Sequence, residues 1–172
     1  MKLESKNIYL RAVEREDLDF LFRIENESGT EESGFATAPL SRRQLFDYIE
    51  GYSADLHAEK QLRLVICRCS DGTPVGTIDI TDYEARDRRG FVGVAVGEAY
   101  RRCGYGAEAL DVLVRYAATT LGMHQLAAVV AIDNAASIHL FTNIGFKPCG
   151  KLRSWIRRGC TYTDALLFQI LF

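Results

Sequence analysis

The sequence predicts an α+β fold: a mixed, mostly antiparallel sheet of about seven strands with about four helices. Three observations predict it. A run of short alternating segments between Leu62 and Val96 reads as an antiparallel meander. One long amphipathic stripe follows it, with Leu110, Leu113, Val114, Ala117, Ala118 and Leu121 at helical spacing. Leu126 to Ile132 is then continuously apolar, the pattern of a strand covered on both faces. A strand–loop–helix–strand crossover therefore sits in the middle of the chain.

The elements follow in order. Ile8 to Val13 alternates as a strand, and Glu14 to Glu27 carries Leu18, Leu21 and Phe22 at helical spacing. Ser28 to Pro39 is a polar loop bearing Glu31 and Glu32. Ser41 is read as an N-cap for a second helix with Leu45, Tyr48, Ile49 and Tyr52 along one stripe. The meander strands are Leu62–Arg68, Pro74–Tyr83 and Gly90–Val96, joined by Ser70-Asp71-Gly72-Thr73 and by the charged Glu84–Arg89 turn. Tyr100 to Gly106 is a basic, glycine-containing loop, and the long helix after it closes at Gly122. Asp133-Asn134 opens another helix that ends at Gly145. Two strands, Lys147–Ile156 and Tyr162–Leu171, meet at an Arg157-Arg158-Gly159 turn.

Composition bounds the function. The chain has 172 residues, 48% of them apolar and 26% charged, as in an ordinary globular domain. A net charge of −2 gives no nucleic-acid footprint. No apolar run approaches the roughly 20 residues that span a bilayer, and the N-terminus lacks a signal-peptide core. A cytoplasmic protein is expected. Cys67, Cys69, Cys103, Cys149 and Cys160 show no zinc-type spacing, so no metal is predicted. Cys67 and Cys69, two apart, share a face if the strand continues through them.

Chemistry concentrates in Val92 to Ala107, where a strand enters a Gly-x-Gly loop that opens the long helix. First-turn N–H groups have no intrahelical partner and favour an anion, aided by the helix dipole. Gly104 and Gly106 let a phosphate approach the backbone. Arg101 and Arg102 add fork-shaped cationic donors. The combination suits a pyrophosphate. It is not a Walker loop, since no Gly-Lys-Ser/Thr follows, and no third glycine completes a dinucleotide fingerprint. A nucleotide-binding protein using the same loop is the weakest of the alternatives.

Arg101-Arg102-Cys103-Gly104-Tyr105-Gly106 resembles the Arg/Gln-x-x-Gly-x-Gly/Ala signature of the GNAT acyltransferases. Asn134-x-x-Ser137-x-x-Leu140-Phe141-x-x-x-Gly145-Phe146 resembles the family's second landmark, in the expected order. The likeness runs from Leu10-Arg11 to the last hairpin, which implies a single acyl-CoA N-acyltransferase domain over 1–172. Gly76-x-Ile78-Asp79-Ile80-x-Asp82 with Arg88-Arg89 resembles the branch of bacterial spermidine N-acetyltransferases, to which the ribosomal-protein N-terminal acetyltransferases are close. The resemblance implies acetyl-CoA as co-substrate, an amine acceptor and a homodimer or larger homo-oligomer. It places pantetheine on Val94, Ala95 and Val96 and pyrophosphate on Arg101, Arg102, Cys103, Gly104, Tyr105, Gly106 and Ala107. It makes Asn134 a hydrogen-bond partner of the pantetheine arm, while helix capping is the other use of that side chain. It sets Phe141 near the thioester.

An alkyl amine with a pKa near 10.4 is largely protonated at pH 7, so a base is expected. Backbone N–H near Val94 is expected to stabilise the tetrahedral oxyanion. Two positions depart from the resemblance: Phe141 stands where a tyrosine acid is common, and Phe91 and Val92 occupy the strand position of a common glutamate base. Tyr105, Tyr162 or an unassisted thiolate remain for the first role. For the second, Asp79 and Asp82 fall on opposite strand faces, and Asp79, which shares a face with Thr77 and Thr81, is the candidate. Glu25, Glu27, Glu31 and Glu32 are read as a solvated helix end and loop, with an amine-binding acidic rim as the alternative. The acceptor is a polyamine, another small amine or a protein amine. An acyl-CoA-binding sensor with little turnover is the rival from another class.

Overall fold

The structure, a computed structural model, describes residues 3–27 and 38–172. The strands are β1 (Ile8–Ala12), β2 (Leu62–Arg68), β3 (Pro74–Glu84), β4 (Arg89–Val96), β5 (Gln125–Ala131), β6 (Lys147–Arg158) and β7 (Thr161–Leu171). The helices are α1 (Leu18–Asn26), α2 (Arg42–Gly51), α3 (Leu56–Glu59), α4 (Tyr105–Thr119) and α5 (Ala135–Ile144). The strands form one sheet in the order β1-β2-β3-β4-β5-β7-β6. Every pair is antiparallel except β4–β5, as the crossover through α4 requires. The expected mixed sheet is therefore present. Glu31 and Glu32, with most of the Ser28–Pro39 loop, lie outside the described residues.

Two cores cover the two faces of the sheet. On one, Leu62, Leu64, Ile66, Ile78, Ile80 and Val92 meet the α4 stripe of Leu110, Leu113 and Ala117, with Phe141 of α5 further along. Full burial of Leu110 and Leu113 stabilises by about 1.5–3 kcal/mol each. On the other face Val65 and Cys67 pack under Phe20, Leu21 and Ile24 of α1 and Leu45 of α2. The alternation along β2 thus serves α4 with its even positions and α1–α2 with its odd ones.

Local chemistry sets the helix boundaries. Ser41 caps α2 reciprocally with Gln44: its Oγ accepts from the Gln44 N–H, and Gln44 Oε1 accepts from the Ser41 N–H. The first helix begins later than the periodicity predicts. Arg15–Asp17 forms a 3-10 turn because Asp17 turns inward, accepting both Arg11 guanidinium donors at 2.7 Å and the Glu14 N–H at 2.8 Å. Helix α3 is unforeseen: four residues capped by Asp55 are too short to show a period. Helix α4 starts at Tyr105 and ends at Thr119, where Leu121 N–H bonds back to the Tyr116 carbonyl ahead of Gly122. The last hairpin turns at Gly159-Cys160, so Arg157 and Arg158 belong to β6. A left-handed Gly159 (φ +60°) suits the first position of a two-residue hairpin turn. Cys69 lies past the end of β2 and is exposed while Cys67 is buried, so the two thiols do not share a strand face.

Candidate active site

The site begins where β4 leaves β5. The two strands pair only at Arg89↔Gln125, Gly90↔Leu126 and Phe91↔Ala127. Beyond that point β4 continues beside β3 as far as Val96, and β5 continues beside β7 as far as Ala131. A wedge opens between them, bordered by Val94, Ala95 and Val96 on one side. An extended chain carrying amide groups fits such an edge by strand-like hydrogen bonding.

The Tyr100–Gly106 loop follows β4 at the end of the wedge. Arg101 turns back and donates from Nε to the Val96 carbonyl at 3.1 Å, which anchors the loop to the strand. Arg102 (φ +64°) and Gly104 (φ +84°) are both left-handed. Among the described residues, the N–H groups of Arg102, Cys103 and Gly104 have no protein acceptor. Tyr105 and Gly106 form the first turn of α4, so their N–H groups are open as well. Gly106 faces Val96 and Val94, whose methyl groups would lie 3.5 and 4.0 Å from a Cβ built there. Cys103 is exposed, and its Sγ lies 3.6 Å from the Arg101 carbonyl. Glu108, one turn on, accepts from Ser5 Oγ and from Asn7 N–H and Nδ2, tying α4 to the segment before β1. Burial opposes the charge on Glu108, but these bonds outweigh it and hold the carboxyl below its ordinary range.

At the start of α5, Asn134 Oδ1 accepts from the Ser137 N–H at 3.0 Å. The cap uses only the carbonyl oxygen, and the amide Nδ2 has no partner among the described residues. Asn134 borders an open cleft of about 450 Å³ with Asp133, Ala135, Ala136 and Arg158. Phe141 is 4% exposed, with ring centroids 5.1 Å from Phe146 and 6.3 Å from Phe168.

Asp79 sits on the α1–α2 face of the sheet, paired in register with Arg63 on one side and Gly93 on the other. It is 5% exposed. Arg63 Nε donates to Oδ1 at 2.6 Å and Nη2 to Oδ2 at 3.3 Å. Arg63 Nη1 donates to Glu25 Oε1 on α1 at 2.8 Å. Burial pushes the Asp79 carboxyl above the ordinary carboxylate range, Arg63 pulls against it, and Glu25 adds to the rise. Burial likewise disfavours the Arg63 charge, but Asp79 and Glu25 prevail and keep the guanidinium protonated. Tyr48 is pushed up to about 12 by its burial, so it stays neutral. Asp82 is exposed at a break in the β3–β4 register, with φ +50°.

Arg63 was invisible as a functional residue in the sequence. Its one signal is a charge at an odd position of β2, on the face where Val65 and Cys67 pack under α1 and α2. Glu25 differs from its reading as a solvated helix end: its side chain is 13% exposed and ion-paired with Arg63. Glu27 instead accepts from the Glu98 N–H at 3.1 Å and joins α1 to the segment after β4. Among the described residues no group of three or more His, Cys, Asp and Glu could hold a metal ion. No described helix is long and apolar enough to cross a membrane.

Comparison with known proteins gives the family. Residues 7–147 match the family model described as "Acetyltransferase (GNAT) domain". The chain is 26% identical over 170 residues to an uncharacterized N-acetyltransferase, YoaA, of Bacillus subtilis (strain 168), covering 98% of this chain and 96% of that protein. It is 25% identical over 146 residues to the spermidine N(1)-acetyltransferase of Escherichia coli (strain K12), covering 85% and 76%. Among solved structures, the Vibrio cholerae spermidine N-acetyltransferase in complex with CoA and spermine superposes with a TM-score of 0.85 at 22% identity, covering 95% of each chain. With the family model matched over most of its length, the chain belongs to the GNAT acetyltransferases.

Proposed function

We propose that this protein moves an acetyl group from acetyl-CoA directly to an amine, with a polyamine or another small amine as acceptor. The observation that carries the reading is the wedge between β4 and β5 ending in a loop of open N–H groups. Val94, Ala95 and Val96 would hold pantetheine, Arg101 to Ala107 the pyrophosphate, and Asn134 Nδ2 the pantetheine arm. Phe141 would close the apolar floor near the thioester.

In the reaction the amine nitrogen attacks the thioester carbonyl. A C–N bond forms and the C–S bond breaks. The amine loses a proton and CoA leaves as a thiolate, which solvent protonates. Asp79 is the proposed proton acceptor, through a water. A carboxylate has about four lone-pair sites, and Arg63 takes one on each oxygen. Burial raises the proton affinity of the rest. The spermidine enzymes among the relatives support the small-amine acceptor over a protein N-terminus. The unpaired thiols, four of them exposed, suit a cytoplasmic location. Trp155 and Tyr162, 60% and 62% exposed on the β6–β7 edge, support self-association.

A second reading, an acyl-CoA-binding module with little turnover, draws on the lack of a proton on Phe141. The test is calorimetric titration of acetyl-CoA, then an amine panel read by free-thiol release. The panel should hold spermidine, monoamines and peptides with a free N-terminus. Binding with thiol release on small amines is expected. Release on peptides alone makes the protein an N-terminal acetyltransferase, binding without release supports the module, and no binding overturns the proposal.

A further inference from the structure

Arg63 joins four elements at one guanidinium. It reaches Asp79 on β3 and Glu25 on α1, it lies over the Tyr48 ring of α2 at 5.6 Å, and its backbone N–H donates to Tyr52 Oη at 2.6 Å. Its side chain is 12% exposed. Burying such a charge costs several kcal/mol, and an ion pair of this kind seldom outperforms apolar packing of the same volume. Stability alone is therefore a poor account of it.

The geometry has a different consequence. A planar guanidinium bound to both oxygens fixes the plane of the carboxylate as well as its position. Asp79 stands across from Gly93 on β4, one residue before the proposed oxyanion donor Val94. Gly93 puts no side chain beside it. The carboxylate plane thus decides where its remaining lone pairs face. We propose that Arg63 is the positioning residue of the acceptor side: it fixes the orientation of Asp79 and couples it through Glu25 to helix α1. This rests on the proposed role of Asp79 as proton acceptor.

Among the described residues, the charged and titratable groups facing Asp79 are Glu25 of α1, Tyr48 of α2, Tyr52 at its C-cap, and Arg63 of β2. Burial keeps both tyrosines protonated through neutral pH. Only Arg63 and Glu25 then change the field at Asp79, and they act in opposite directions.

The experiment follows the Asp79 carboxyl carbon by NMR in protein labelled with carbon-13 aspartate, alongside the pH profile of kcat/KM. Asp79→Asn identifies the resonance. Arg63→Lys keeps the charge but loses the fork. Its acid limb should stay near wild type while kcat falls on the order of 100-fold, with the KM for acetyl-CoA unchanged. Glu25→Gln should move both the Asp79 titration and the acid limb to lower pH. Arg63→Met, where it folds, should move both to higher pH; Arg63→Lys and Glu25→Gln decide the matter if it does not. Wild-type kcat in Arg63→Lys, or an unmoved Asp79 titration in Glu25→Gln, overturns the proposal. The NMR arm needs no turnover. A wild-type protein that acetylates no amine therefore defeats the functional reading separately, while the Glu25→Gln titration still decides whether this cluster sets the charge of Asp79.

Discussion

A single methyl group at Gly104 separates the fold of the Arg101–Gly106 loop from its proposed phosphate-binding role. The residue has φ +84°, a conformation that costs an L-residue roughly 1–2 kcal/mol. A Cβ there meets nothing within 4 Å, so the penalty of Gly104→Ala is backbone strain, not collision. In a chain of this size that strain lowers Tm by roughly 2–8 °C. Partial relief of that strain, by a shift of Gly104 toward negative φ, would reorient the N–H groups of Gly104 and Tyr105. A hydrogen bond to a charged group contributes about 1.5–3 kcal/mol. Losing two of them weakens acetyl-CoA binding by roughly 10² to 10⁴-fold. Gly106 is the control. Its φ lies outside the left-handed region, and its Cβ would make ordinary contact with Val96 and Val94. Gly106→Ala therefore gains about 1 kcal/mol of helix propensity while placing a methyl beside the strand proposed to hold pantetheine. Thermal melts and calorimetric titration should show one variant destabilised and the other stabilised, both with weakened binding. Gly104→Ala binding acetyl-CoA as wild type does would refute the loop as the phosphate site.

Two further outcomes follow from hydrogen bonds already in place. Asn134→Ala should cost about 1 kcal/mol through the lost cap and raise the KM for acetyl-CoA. Asn134→Asp keeps a cap but loses the Nδ2 donor, so melts should recover while the KM stays high; recovery of both would limit Asn134 to capping. Glu108 has a folded-state pKa below its unfolded value of about 4.3, so its contribution is complete above that pH and is lost as pH falls through the folded value. Urea unfolding between about pH 6 and pH 3 should show wild type losing its advantage over Glu108→Gln; a constant difference would remove Glu108 as the acid-sensitive tie between α4 and Asn7.

The half of the site facing α4 was legible because it is local. Arg101 to Ala107 are consecutive, and Asn134, Ser137 and Phe141 lie within one short helix and its cap, so each motif is local, and the resemblance joined the two. The splay was expected only from the resemblance; the crossover accounts for the parallel pairing, not for the separation. The acceptor half is the opposite case. Glu25, Tyr48, Arg63 and Asp79 come from four elements spread over more than fifty residues, and only the register Arg63↔Asp79 and the packing of α1 across β2 make them neighbours. An arginine in an alternating strand carries no mark of which way its partners lie. The same limit applied to Asp79: period two gave its face, while its burial depended on α1 and α2 closing over it.

Under the proposed function, the chemistry of Phe141 and Asp79 bears on which proton needs help. The amine must shed a proton held with a pKa near 10.4, some 4–5 kcal/mol uphill at pH 7, whereas a thiolate with a parent pKa near 8.5 costs about 2 kcal/mol to release. A general acid at the leaving group therefore has less to gain than a base at the nucleophile. The chain has an apolar ring where similar proteins carry a tyrosine, wedged against Phe146 and Phe168 with no polar atom to satisfy. On the other face it keeps a buried carboxylate whose proton affinity burial raises and Arg63 restrains. In the proposed role, burial makes this carboxylate a stronger base than a solvated one, while Arg63 opposes the protonation that burial favours.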